Sequence, residues 1–200
     1  MRHALPVKRV AVDGPADPVL SEAGHAQARH LAEYLRPERL DAIYASPLNR
    51  AIQTATPVSE VAGIGVLVEP GVSEYDRNSD TYIPVEELKA TNDPRWQAML
   101  AGRREPGDET PEQFDTRVID SIEALIGAHT GQKIAVVCHG GVINAYLARV
   151  LGIGSTAGFF YPNYTSIHRV IAARSGERTI STINETAHLR GTGLPVGLHA

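Results

Sequence analysis

The sequence predicts an α/β fold of three layers, with helices on both faces of a mainly parallel central sheet. Two observations carry that reading. Strand-length apolar runs alternate with stretches of helical periodicity, the signature of β–α–β units. The run "KIAVVC" is apolar throughout after its lysine, as a strand covered on both faces requires.

The elements follow in order. Ser21 is the predicted N-cap of a helix to Leu35, with Ala28, Leu31, Ala32 and Leu35 at helical spacing. "DAIYAS" (Asp41 to Ser46) reads as a short buried strand. "LNRAIQTATPVSEVAG" returns to helix and stops at Gly63, and Pro57 inside it predicts a kink or break. "GVLVEP" is a second strand, closed by Pro70 and Gly71. The pattern then weakens to about Gly107. "PVEELKA" and "PRWQAMLAG" look like short helices with proline in the first turn. We read 72–107 as an insertion covering the core.

Beyond it, Phe114, Val118, Ile119, Ile122, Leu125 and Ile126 line one face of a helix beginning near Pro111. "KIAVVC" is the next strand. Gly140 and Gly141 follow, then a helix that turns Val142, Ile143, Tyr146, Leu147, Val150 and Leu151 to the core. "TSIHRVIAAR" and "RTISTI" alternate as strands, with Ser175-Gly176 as their turn. The expected organisation is one domain over 1–190 and a tail over 191–200 that carries little pattern.

Composition limits the function. A length of 200 residues can bury a full core, and 42% hydrophobic with 21% charged residues is ordinary for a globular protein. The net charge of −4 argues against a broad binder of nucleic acid, though not against a small cationic pocket. The single cysteine, Cys138, precludes an intrachain disulfide framework. With no signal peptide and no spanning apolar run found, the expectation is a cytoplasmic protein without a membrane partner. Strand-rich C-terminal segments are compatible with a homodimer.

Ligands of parallel α/β sheets bind outside the carboxyl ends of the strands. That rule selects Ser46 and His139. "VVCHGGV" sets His139 at a strand end, before two glycines and a helix N-terminus, where free N–H groups and the helix dipole favour anions. A satisfied turn histidine is the equal alternative. "SPLNRAIQTA" puts Arg50 on the first turn of another helix after a strand end, where a guanidinium can grip phosphate with two bonds. Taken alone, an exposed arginine explains it better.

The pieces "RHA", "LSEAGHAQARHLAEYL", "DAIYASPLNRAIQTA", "VSEYD", "GDETPEQFDTRV" and "VVCHGGVINAYLARVLG" occur in that order. From Arg2 to about Leu189 the chain resembles the histidine phosphatase superfamily, also called the phosphoglycerate mutase-like family. No single motif is decisive; the ordered set is specific. The resemblance implies a phosphoglycerate mutase-like fold and a metal-independent, cofactor-free phosphatase acting on a small phosphorylated substrate. By the resemblance His3 is the nucleophile that forms a phosphohistidine, and Arg2, Arg50, His139 and the backbone at Gly140 surround the phosphoryl group. Phosphoryl transfer needs mainly positioning and charge stabilisation, which these groups can supply. Glu74 of "VSEYD" matches the acid that protonates the leaving oxygen and then activates water. Asp76 is the reserve for that role.

The chain also departs from the family pattern. The apolar strand that leads into the Arg-His pair is largely missing from this sequence, so few upstream hydrogen bonds are expected at His3. "ALPVKRV" lacks the glycine and asparagine common after the pair, which predicts a phosphate pocket either incomplete or completed by a backbone N–H. Cys138 stands where serine is frequent and reads as a small buried residue rather than a nucleophile. His25, His30, His129, His168, His188 and His199 form no metal signature, and His188 reads as structural or peripheral. Tyr75, Arg77, Tyr82, Trp96, Arg103 and Arg104 of the insertion can cover the pocket, with Arg103 and Arg104 as candidates for a second anionic group.

Three functions remain: a phosphatase, a phosphoglycerate mutase, and a binder of phosphorylated ligands without turnover. A mutase usually needs a longer, more basic covering segment. A binder has no use for a nucleophile and an acid. A serine hydrolase lacks its G-x-S-x-G elbow.

Overall fold

The computed structural model describes residues 1–101, 109–154 and 158–198. In chain order its elements are β1 (Arg9–Val10), α1 (Glu22–Leu35), β2 (Ala42–Ala45), α2 (Asn49–Ala62), β3 (Val66–Val68), β4 (Thr81–Tyr82), α3 (Val85–Ala90), α4 (Pro94–Leu100), α5 (Pro111–Ala128), β5 (Ile134–Val137), α6 (Gly140–Leu151), β6 (Ile167–Ala172) and β7 (Arg178–Glu185). The central strand β2 pairs in parallel with β3 on one side and β5 on the other. β6 and β7 form an antiparallel hairpin.

Residues 1–3 lie between β5 and the chain entering β6. Cys138 N–H donates to Met1 O at 2.8 Å, and His3 N–H to Cys138 O at 2.9 Å. On the other flank Arg2 N–H donates to Ser166 O at 3.1 Å. The Arg-His pair therefore sits in a strand position at the centre of the molecule.

The layers follow from the alternation of β5. Ala135 and Val137 join Leu31, Leu35, Ile43, Ala55 and Val58 in the core beneath α1 and α2. Cys138 joins Val72, Phe114, Val118, Val142 and Tyr146 beneath α5 and α6, with Val136 at its margin. A strand feeding two cores needs apolar residues of both parities, which explains the unbroken "IAVVC". Among the described residues, no helix is long and apolar enough to cross a membrane.

Most helix ends obey their predicted signals. Ser21 Oγ accepts from Gly24 N–H at 3.0 Å as the N-cap of α1. Gly63 ends α2 with φ 69°, a left-handed conformation suited to glycine.

Three expectations need correction. The break expected at Pro57 does not occur: α2 continues through it, with Ala51, Thr54, Ala55 and Val58 buried on both sides of the proline. Pro84 is the N-cap of α3 and lies outside its first turn, whereas Pro94 does occupy the first turn of α4. Gly140 and Gly141 do not precede α6; they form its first turn.

The short antiparallel pair β1–β4 had no sequence signal. It ties the chain after the Arg-His pair to the covering segment. The tail is docked rather than loose: Tyr164 N–H donates to Val196 O at 2.9 Å, and Gln27 Nε2 to Pro195 O at 2.5 Å. Residues 102–107 of the insertion, with Arg103 and Arg104, lie outside the described residues, as does His199.

Candidate functional site

Every predicted site residue stands at the carboxyl side of the parallel strands. Arg2 forms the parallel bridge to Cys138, and His3 follows it. Arg50 is in the first turn of α2, after β2. Glu74 caps a short 3-10 turn (Tyr75–Asn78) after β3. His139 is the N-cap of α6, after β5. All five are buried, none more than 7% exposed. Their proximity is a consequence of parallel topology, which stacks strand ends on one edge.

The histidine rings of His3 and His139 lie 5.1 Å apart between centroids, tilted by 54°. Their hydrogen bonds set opposite protonation patterns. His3 Nδ1 is 2.8 Å from Ala4 O. A carbonyl only accepts, so Nδ1 carries the proton and Nε2 keeps a free lone pair. His139 Nδ1 accepts from Arg50 Nε–H at 3.3 Å. Its proton therefore sits on Nε2, an N–H buried without a partner. Burial, then the charges of Arg50 and Arg2, hold His3 well below its ordinary value. Burial and Arg50 do the same to His139. Both rings are neutral at pH 7.

Glu74 occupies the N-terminus of α6. Its Oε2 accepts from Gly141 N–H at 2.7 Å and its Oε1 from Tyr75 N–H at 3.0 Å. Burial, and then the nearby Asp76, raise its pKa above the ordinary carboxylate value. Asp76 has a different environment: its Oδ1 receives Arg50 Nη2 at 2.7 Å in an ion pair. The two carboxylates thus divide, one buried and inclined to hold a proton, the other engaged with a guanidinium.

The two arginines are braced by aromatic rings. Arg50 Cζ lies 4.7 Å from the centre of Tyr82. Arg2 Cζ lies 4.1 Å from the centre of Tyr164 and 5.1 Å from that of Tyr161. Arg2 Nη1 donates to Pro162 O at 2.6 Å, and its Nε is buried with no partner.

Support for His3 comes from downstream, contrary to the expectation of a poorly held ring. Besides the bond to Cys138, Thr165 N–H donates to His3 O at 3.4 Å. Thr165 has φ 53°, an uncommon conformation for a β-branched residue. Its hydroxyl is 2.9 Å from His188 Nε2. Of the two readings of His188, structural or peripheral, the geometry favours the structural one: it braces the residue that braces His3.

The expected substitute N–H groups are spoken for. Ala4 N–H donates to Thr54 Oγ1 at 2.9 Å, and Leu5 N–H to Gln27 Oε1 at 2.8 Å. The chain after His3 is held by side chains of α1 and α2. Cys138 is buried and burial raises its pKa, consistent with an inert thiol. Of the insertion residues, Tyr82 reaches the site. Tyr75 packs on Phe114 at 6.3 Å, and Arg77 pairs with Glu109. The sequence reading missed Tyr161, Tyr164 and Thr54, whose only signal was an aromatic cluster before β6 in the first two cases. Among the described residues no group of three or more His, Cys, Asp or Glu side chains could hold a metal ion.

Comparison with known proteins gives the family and the fold. The phosphoserine phosphatase 1 of Hydrogenobacter thermophilus is 31% identical over 196 residues, covering 94% of this chain and 92% of that protein. The metal-independent phosphoserine phosphatase of Arabidopsis thaliana is 26% identical, covering 91% and 77%. The solved structure of the Entamoeba histolytica phosphoserine phosphatase with phosphoserine has the same fold, with a TM-score of 0.73 at 23% identity, over 94% of this chain and 96% of that one. The profile of the histidine phosphatase superfamily (branch 1) matches residues 1–186, and the chain belongs to that superfamily.

Proposed function

We propose that the protein is a metal-independent phosphomonoesterase that works through a phosphohistidine on His3. The carrying observation is the pair of neutral buried histidines, 5.1 Å apart, one with a free Nε2 lone pair and the other with an unpartnered Nε2–H. A lone pair and a donor side by side suit attack on a phosphorus whose oxygens need charge stabilisation.

His3 Nε2 attacks phosphorus, and the bond from phosphorus to the ester oxygen breaks. Glu74 delivers its proton to that oxygen, and the alcohol leaves. Glu74, now a carboxylate, takes a proton from water. The resulting hydroxide attacks the phosphohistidine, the P–N bond breaks, and inorganic phosphate and neutral His3 are restored. Arg2 Nε, Arg50, His139 Nε2–H and the Gly140 N–H stabilise the phosphoryl oxygens. Asp76 orients Arg50 and is not the acid, because its carboxylate is held by the guanidinium.

The substrate is a small phosphomonoester. The names of the Hydrogenobacter and Arabidopsis relatives support a phosphorylated amino acid such as phosphoserine. We read the protein as cytoplasmic from a cysteine content that allows no intrachain disulfide.

The test is phosphate release from p-nitrophenyl phosphate and O-phosphoserine, with and without a chelator, for the native chain and for His3→Ala. Activity that survives the chelator and vanishes in His3→Ala supports the reading. Activity unchanged in the variant sinks it. Isomerisation of 3-phosphoglycerate without free phosphate would point to a mutase.

A further inference from the structure

Glu109 and Arg117 have no place in the phosphoryl steps, yet they grip the chain that carries the acid. Arg117, on α5, donates from Nη1 to Gly71 O at 2.8 Å and to Ser73 O at 3.1 Å. Gly71 lies in the 3-10 turn Pro70–Val72, and Ser73 directly precedes Glu74. Glu109 takes the other edge of the guanidinium: Nε donates to its Oε2 at 3.0 Å and Nη2 to its Oε1. Glu109 Oε1 also pairs with Arg77, whose backbone N–H donates to Glu74 O at 3.2 Å. The chain is therefore tied to one carboxylate on both sides of the acid.

The next turn of α5 repeats the hold. Ser121 Oγ donates to Glu69 Oε1 at 2.9 Å, and the same oxygen accepts from Gly71 N–H at 2.8 Å. Val72 and Ser73, between these tethers and the acid, are buried. The Glu74 carboxyl itself cannot stay fixed through a cycle. It must exchange Gly141 N–H and Tyr75 N–H for the leaving oxygen and then for water. A side chain that changes partners is aimed by its backbone. Two carbonyls that converge on one point repel each other unless a multiple donor stands between them. A guanidinium is such a donor, and the two-pronged bond to Glu109 fixes its plane.

We propose that Arg117 is a positioning residue of the reaction: held in plane by Glu109, it locks the peptide before Glu74 and so aims the acid at the leaving oxygen. This rests on the phosphatase reading and adds to it a part for α5. The consequence is selective. A departing alkoxide needs the proton of Glu74, whereas nitrophenolate leaves without one. A misaimed Glu74 therefore slows the departure of an alcohol and spares that of nitrophenol. The quantity kcat/KM isolates this step, because it ends with formation of the phosphohistidine and excludes its hydrolysis.

The experiment measures kcat/KM for propyl phosphate and for p-nitrophenyl phosphate and takes their ratio, with a thermal melt of each variant. In Arg117→Gln the ratio should fall by about tenfold or more, with p-nitrophenyl phosphate within about twofold of native. Arg117→Lys keeps the charge and loses the fork, and its ratio should fall as well. Adding Arg117→Gln to Glu74→Gln should leave the ratio where Glu74→Gln alone puts it. Glu109→Gln, which frees the plane of the guanidinium, should lower the ratio severalfold and carries the test if Arg117→Gln does not fold. An equal loss on both substrates overturns the proposal. So does a native ratio in any of the folded single variants at Arg117 or Glu109, or a selective loss that persists without the Glu74 carboxyl. Failure of the phosphatase reading takes the proposal with it and is recognised separately, by a native chain that releases no phosphate or a His3→Ala chain that still does.

Discussion

Arg50 Nε donates to His139 Nδ1 at 3.3 Å, while Arg50 Nη2 holds Asp76 at 2.7 Å. One planar guanidinium thus sets the tautomer of the histidine and restrains a carboxylate. Lysine offers a single ammonium and cannot hold both directions in a fixed plane. We expect Arg50→Lys to lower kcat on p-nitrophenyl phosphate by ~10²-fold or more, the scale of a lost oxyanion donor. Steady-state kinetics together with a thermal melt will separate this loss from a folding defect.

Glu74 is assigned to both halves of the reaction, and Glu74→Gln should expose both. Nitrophenolate leaves without a proton, so His3 would still be phosphorylated by p-nitrophenyl phosphate. Water would no longer be activated. Rapid mixing should show a burst of about one equivalent of nitrophenol and then slow turnover, ~10²-fold or more below the native rate. O-phosphoserine, whose alkoxide needs the proton, should give no burst. A native-like steady state in this variant would remove Glu74 from the mechanism.

The pH profile follows from the two perturbed groups. His3 must be neutral to attack, and its pKa is held well below 6.5, so activity persists as pH falls below that value. Glu74 must be protonated to assist departure, and burial raises its pKa above 4.5, so the acid form survives to a higher pH than in an ordinary glutamate. With an alkyl phosphomonoester, kcat/KM should stay high below pH 6.5 and decline on the alkaline side with ionisation of Glu74. In Glu74→Gln the alkaline limb should disappear.

Stability should fall with pH, and buried histidines should drive much of the fall. Burial holds His168 at about 3 and His188 at about 4, and holds His3 and His139 well below 6.5. Below pH 6.5 the unfolded chain binds protons that the folded chain refuses. These groups therefore contribute stability that is present above pH 6.5 and lost as pH falls through the window down to about 3. Glu74 and Asp17, whose pKa values burial raises, act in the opposite direction. Thermal melts between pH 7 and pH 4 should show a steady fall in Tm. The fall should be smaller in His188→Gln, measured against that variant's own value at pH 7.

Gly141 stands where a side chain would collide with the acid: a Cβ there would be 2.3 Å from Glu74 Oε1. In an exposed helix alanine is favoured over glycine by about 1 kcal/mol. Here the order should invert. Gly141→Ala is expected to lower Tm and to reduce kcat, because Glu74 must leave its bonds to Gly141 and Tyr75. A melt at or above the native Tm, with native kcat, would contradict the close approach of the acid to the first turn of α6.

Local patterns made much of the molecule readable from its residues. Ser21 and Gly63 act within a few residues of their own helix ends, so their effect is written in the nearby sequence. The alternating burial of "IAVVC" is likewise a short-range property of a strand between two helical layers. His139 and Arg50 were accessible because strand ends on one edge are where such folds bind ligands. What holds His3 was not accessible: its support comes from Cys138 and Thr165, far along the chain, through backbone bonds that have no side-chain signature. The Tyr164 ring against Arg2, Thr54 on Ala4, and the β1–β4 pair are of the same kind. Residue identity and spacing determine helices, caps and strand faces because those forces act over a turn or two. The partners of an N–H or a guanidinium are chosen by how the layers pack, and packing couples residues that sequence keeps apart.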